Sequence, residues 1–218
     1  MRRTIGGMAA MWAYDGTLVL EGGAPFVGND DLDRRVLDGI DRVVVLPTAD
    51  AFEQPQGLVT SATAWGERLG VAIEPLMVLT RPQADAAAAA VVDAADAVFL
   101  AGDSSNHLRS VLKDTVLFDA IVGVLDRGGV VLAAAASESA LCDPMTDRRG
   151  GAFALGLGVV GGLAIVTEIE IWPSDQLARA RGLANTPLVE LPTGSALVRS
   201  RDGWELGGDA VVHGELPA

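Results

Sequence analysis

Gly128-Gly129-Val130-Val131-Leu132-Ala133-Ala134-Ala135-Ala136-Ser137-Glu138-Ser139-Ala140 is the stretch on which the fold of this chain turns. Two glycines open it, six uncharged apolar residues follow, and small residues close it at a sharp bend. A strand apolar on both faces belongs in a parallel sheet covered by helices on either side. The pattern recurs along the chain. Residues 17–20, Arg42–Leu46 and 97–100 are further short apolar runs, each stopped by glycine, proline or a polar turn. Between them lie helical periods. Leu32, Val36, Leu37 and Ile40 share the face of a helix that Asn29 or Asp30 can cap, and 59–70 ends on Gly70. Pro82 opens an alanine-rich helix to about Ala95, 107–113 is helical, and 116–125 places Phe118, Ile121, Val122 and Leu125 on one side. Residues 74–79 read as a strand. In the last third, 165–172 alternates like a strand, and 188–191, 196–199 and 210–212 add short ones. The expectation is one α/β domain over 1–218, in three α/β/α layers with a mainly parallel sheet and a β-rich C-terminal portion.

Composition narrows what such a domain can bind. Half of the 218 residues are apolar and the mean hydropathy is +0.33, which excludes a disordered chain. No run approaches the roughly 20 apolar residues of a membrane span. Asp and Glu number 29 against 16 Lys and Arg, a net charge of −13 and a pI near 4.4. Of the basic residues only Lys113 is a lysine. Without a positive surface to displace counterions, nucleic acid is excluded as a partner. One cysteine, Cys142, permits no intrachain disulfide and fits a reducing compartment. Met1-Arg2-Arg3 is basic, but the apolar stretch behind it is short and broken by Gly6-Gly7, so no secretory signal is read and a cytoplasmic protein is expected. Nothing in the chain calls for a cofactor.

Ligands of open α/β sheets sit at the carboxyl ends of the strands, near helix N-termini. Two turns qualify, 101–106 and 134–140, and both should open on a shared crevice. Ala135-Ala136-Ser137-Glu138-Ser139 satisfies the small-x-Ser-x-small spacing of a nucleophile elbow, which makes Ser137 a candidate nucleophile, with helix capping as its plain alternative. Alanine and serine stand where such elbows carry glycine, and a Cβ is costly where φ is strained. In an alternating strand Val166, Glu168, Glu170 and Trp172 share a face. The two carboxylates there could bind a cationic ligand, pair with Arg179 or Arg181, or join Asp143 or Asp147 around a hard metal. A solvent-facing edge is the alternative. His107 reads as a partly exposed helix residue, His213 as surface, and Cys142 as a helix or core cysteine.

The order of these segments resembles the cyanophycinase and dipeptidase E family of serine peptidases, which share the class I glutamine amidotransferase-like, flavodoxin-like fold. The resemblance runs from Thr17 to about His213. It rests on Val43-Val44-Val45-Leu46-Pro47-Thr48-Ala49, on Ala95-Asp96-Ala97-Val98-Phe99-Leu100-Ala101-Gly102-Asp103, on Thr115 and the helix after it, on Gly129-Val130-Val131-Leu132-Ala133, and on Gly156-Leu157-Gly158-Val159-Val160-Gly161-Gly162. The family motif Gly-x-Ser-Ala-Gly-Ala is not kept. Aligned without a gap from Gly129, the nucleophile position falls on Ala136, and Pro144 supports that register; a one-residue insertion would place Ser137 there instead. Where the family has its histidine base, this chain has Glu168. A serine needs a base within hydrogen-bond reach to react at neutral pH.

By this resemblance the loop at Gly102 and Asp103 supplies backbone donors, and Ser104, Ala136, Glu138 and Glu168 surround the same crevice. The function implied is non-hydrolytic binding or regulation with a small amino-acid or peptide-like ligand, in a chain that has lost the Ser–His pair. The alternative is an active serine hydrolase using Ser137, an unidentified base and oxyanion donors from Gly102 and Glu138. A homodimer is also implied, with no role for a membrane.

Overall fold

The computed structural model describes residues 12–218, so the N-terminal stretch judged to lack a secretory signal lies outside the described residues. Seven strands form the main sheet: β1 (Thr17–Glu21), β2 (Arg42–Leu46), β3 (Ala72–Pro75), β4 (Ala97–Gly102), β5 (Val130–Ala135), β12 (Ala196–Ser200) and β13 (Gly203–Gly207). Their spatial order is β13-β12-β1-β5-β4-β2-β3. All pairs from β1 to β3 are parallel, and β12 and β13 add an antiparallel end. The helices are α1 (Asp30–Val36), α2 (Pro55–Leu69), α3 (Ala86–Asp93), α4 (Ser105–Leu112), α5 (Val116–Asp126), α6 (Ser137–Leu141) and α7 (Ser174–Leu183). Short strands β6 (Cys142–Asp143), β7 (Met145–Asp147), β8 (Ala152–Ala154) and β9 (Val160–Gly161) follow α6. A second sheet, in the order β10-β11-β14, joins β10 (Ala164–Thr167), β11 (Leu188–Leu191) and β14 (Val211–His213). The expected three-layer α/β architecture and its β-rich end are what the chain adopts.

The two cores follow from the two-residue period of a strand. Leu18, Leu20, Val44, Leu46, Val98, Leu100, Val131 and Ala133 face α3, α4 and α5. Their chain neighbours Val19, Val43, Val45, Phe99, Leu132 and Ala134 face Leu37 and the Trp65 of α2. On that second face Phe26, Trp65 and Phe99 pack ring against ring, with centroids 4.6–5.4 Å apart. Each such side chain contributes about 2–3 kcal/mol on burial.

Local chemistry sets the ends of the elements. Asp85 caps α3 by accepting from Ala87 N and Ala88 N at 3.0 Å, and Thr115 caps α5 through Phe118 N. Gly70 ends α2 in the left-handed region at φ +80°. Three expectations need correction. The strand anticipated over 74–79 lies at 72–75. The alanine-rich helix begins only at Ala86, because residues 81–83 make a separate 3-10 turn. The strand anticipated over 165–172 stops at Thr167, because Glu168 adopts φ +51° and residues 169–171 turn as a 3-10 helix. No helix among the described residues is long and apolar enough to cross a membrane.

Candidate functional site

β4 and β5 end side by side, with Gly102 opposite Ala135. Ala135 has φ +63°, a left-handed corner in a residue with a Cβ, and it turns the chain into α6. Two contacts hold it, and a third ties the loop after β4 to residue 49. Thr167 Oγ1 donates to Ala135 O at 2.8 Å, Ala136 N donates to Gly102 O at 3.0 Å, and Ser104 N donates to Ala49 O at 3.0 Å. Gly102 itself has φ +128°, and a Cβ there would fall 2.5 Å from Asp50 N. Glycine is therefore required where β4 passes under the loop at residues 49–50.

These ends border a crevice of about 440 Å3. Of the residues expected around it, Asp103, Ser104 and Ala136 line the wall, and Ser104 also caps α4 by accepting from His107 N at 3.3 Å. The others sit differently. Gly102 is buried behind the wall, as packing against Asp50 demands. Ser137, one residue into α6, is fully buried, and its hydroxyl has no partner among the described residues. Glu138 is fully buried too, and neither of its carboxyl oxygens has a hydrogen-bond partner among the described residues. The helical turn that begins at Ser137 buries both side chains and leaves Ala136 at the crevice wall.

Glu168 reaches the site indirectly, through an ion pair of 2.8 Å to Arg148, which lines the crevice. It does not share a strand face with Glu170, as the alternation had predicted. The left-handed turn at Glu168 sends Glu170 to Thr193 N at 2.9 Å instead. Arg181 pairs with Glu190 rather than with either. Among the described residues no group of three His, Cys, Asp or Glu could hold a metal ion, which leaves the metal alternative without support. Cys142 is buried in the core, where burial raises its thiol pKa far above the ordinary value. His213 lies on β14, 3.0 Å from Glu190. His107 does not line the crevice: its Nε2 lies 2.9 Å from Leu79 O and its ring meets Phe52 edge-on.

Electrostatically the site is crowded with carboxyls. Burial raises the pKa of Asp50, and the charge of Asp103 raises it further. Burial and then Asp103 raise Glu168, while Arg148 pulls it back. Burial holds Glu138 well above the carboxylate range. The wall carries both signs, with Glu53, Asp103 and Asp147 against Arg148 and Arg149. Sequence reasoning missed most of this set. Arg148-Arg149 was legible as the only arginine pair outside the N-terminus and 34–35 in an acidic chain, but Ser139, Thr146, Thr167 and Trp172 carry no local signature. Ser139 Oγ donates to Thr146 O at 3.3 Å; the Thr146 hydroxyl is buried without a partner among the described residues.

A mainly parallel sheet, a left-handed corner after β5 and a crevice at the ends of β4 and β5 define a fold of the peptidase E type. Solved structures that share it include two peptidases. A peptidase from an acI-B1 Actinobacterium superposes with a TM-score of 0.79 at 20% identity, over 93% of this chain and 91% of its own. A candidate peptidase E protein from Listeria monocytogenes EGD-e superposes with a TM-score of 0.70 at 14% identity, over 91% of this chain and 98% of its own. No family model and no curated protein sequence matches the chain.

Proposed function

We propose that this chain is a non-hydrolytic binding or regulatory protein on a peptidase E-like scaffold, taking a small amino-acid or peptide-like ligand in the crevice beside β4 and β5. The observation that carries the proposal is at the corner: Ala136 lines the crevice, while Ser137 is buried and, among the described residues, no histidine lines the wall. Covalent hydrolysis needs a hydroxyl and a base within hydrogen-bond reach of each other and of the ligand. Binding needs neither. Opposite charges on one wall suit a zwitterion, whose ammonium group meets Glu53, Asp103 or Asp147 and whose carboxylate meets Arg148 or Arg149.

The test is the intact mass of the protein after treatment with a reactive fluorophosphonate, beside a serine hydrolase as positive control. The expected result is an unmodified chain together with a labelled control. A single adduct that disappears in Ser137→Ala would overturn the proposal, since it would require an activated serine hydroxyl and restore the hydrolase reading.

A further inference from the structure

Phe52 stands out among the large apolar side chains of the described residues. It is 81% exposed, more than any other, yet it lines the crevice. It lies in the short loop between a 3-10 turn at 48–50 and α2, next to Glu53, which lines the same wall. Its ring is placed by the imidazole of His107, with centroids 4.7 Å apart and planes at 66°. His107 is itself held on Leu79 O at 2.9 Å. A second aromatic ring, Trp172, lines the wall from the loop after β10; it is 8% exposed and its Nε1 donates to Thr167 O at 2.9 Å. The charged groups of the wall can hold the two ends of a zwitterion, but they give Phe52 nothing to cover it. An apolar ring held at the mouth of a polar crevice gains only when the ligand brings apolar surface to it.

We propose that Phe52 is the specificity-determining residue of this crevice, selecting peptide-like ligands that carry an aromatic or large apolar side chain beside their charged ends. The proposal rests on the peptide-binding reading of the same site and narrows it. Single small polar amino acids, which would leave Phe52 bare, are disfavoured. Because Phe52 is exposed and its backbone stands outside the main helices and strands, replacing it leaves the cores untouched.

The experiment is calorimetric titration of the intact protein and of Phe52→Ala with two dipeptides, alanyl-phenylalanine and alanyl-alanine. Size-exclusion chromatography of both proteins at several concentrations accompanies it. The wild-type protein should bind alanyl-phenylalanine about tenfold more tightly than alanyl-alanine, as an aromatic contact with burial of the ring would give. In Phe52→Ala that ratio should fall to near one. Equal affinities in the wild type, or a ratio that survives the substitution, would overturn the role of Phe52 while leaving peptide binding intact. Absence of binding by both dipeptides would overturn the peptide-binding reading and this inference with it. A variant that loses a dimer but keeps the ratio would assign Phe52 to contact with a second copy, and would equally overturn the proposal.

Discussion

Ala136 lines the crevice, and Ala136→Ser is the substitution that places a hydroxyl at that corner. It should fail to create a peptidase. Among the described residues no histidine lines the wall to accept the proton, and an ordinary carboxylate is too weak a base for an alcohol. The expected outcome is no release of amine from alanyl-phenylalanine and no fluorophosphonate adduct; turnover would require a base in the crevice wall. Glu138 offers a second test at this scale. Its folded pKa is raised by burial above the value it has in the unfolded chain. Its contribution to stability is therefore complete below the unfolded value and is lost as pH rises towards the folded one. Glu138→Gln keeps the shape and removes the titration. It should stabilise the protein by on the order of 1 kcal/mol at pH 7.5 and by much less at pH 5, measured by urea unfolding at both pH values. Ser137 and Glu138 were visible in the sequence as polar residues after a strand, but which side of a five-residue helix they occupy depends on the strain at Ala135. A φ of +63° in an alanine leaves no mark in the sequence.

The second sheet, β10-β11-β14, is fastened by one carboxylate. Glu190 of β11 is buried, and Arg181 of α7 grips it from both ends: Nε donates to Oε1 at 2.6 Å and Nη2 to Oε2 at 2.8 Å. His213 of β14 approaches the same Oε1 at 3.0 Å. The Arg181 guanidinium holds the Glu190 carboxyl below the usual range. Arg181→Ala would leave that carboxylate buried without its main partner. The cost should be about 2 kcal/mol, less than in a closed core because Arg181 is half exposed, and is read as a lower urea midpoint with an unchanged m-value. Elements differ in how openly the sequence announces them. β2, β4 and β5 are apolar on both faces and can be nothing else, so they were legible at once. α7 was missed because Ser-Asp-Gln-Leu-Ala-Arg-Ala-Arg-Gly-Leu packs with little more than Leu177 and Ala180, too few residues to show a helical period. The misplaced end of β10 has the opposite cause: alternation continues through residues 168–172 although the backbone has already turned.

Two sets of carboxyls pull the stability of the whole molecule in opposite directions. Burial raises Glu21, whose neighbour Asp33 raises it further, and burial also raises Asp33 and Glu138. The stability these contribute is lost as pH rises. Glu190, Asp30 and Glu205 are lowered by Arg181, Arg68 and Arg35, and theirs is lost as pH falls below the ordinary carboxylate value. Asp30 and Glu205 belong to partly exposed pairs and weigh little. A net charge of −13 adds self-repulsion on the alkaline side. The thermal midpoint should accordingly be highest in mildly acidic buffer, near pH 5, and decline towards pH 8. Added salt separates the two causes, since it screens repulsion between surface charges but not the burial of Glu21 and Glu138. A decline that vanished in 0.5 M salt, an ionic strength chosen to bring the Debye length to roughly 4 Å, would assign the whole effect to surface charge.

Synthesis meets this architecture from an awkward end. β1 is made first and then waits, because its two neighbours in the sheet are β5 on one side and β12 on the other. Until residues 196–200 have left the ribosome, one edge of a strand reading Thr-Leu-Val-Leu-Glu stays open to any partner. A nascent chain cut before Ala196 would therefore not be a smaller version of this domain. It would be a sheet with a greasy, unguarded margin, fit mainly for pairing with its neighbours.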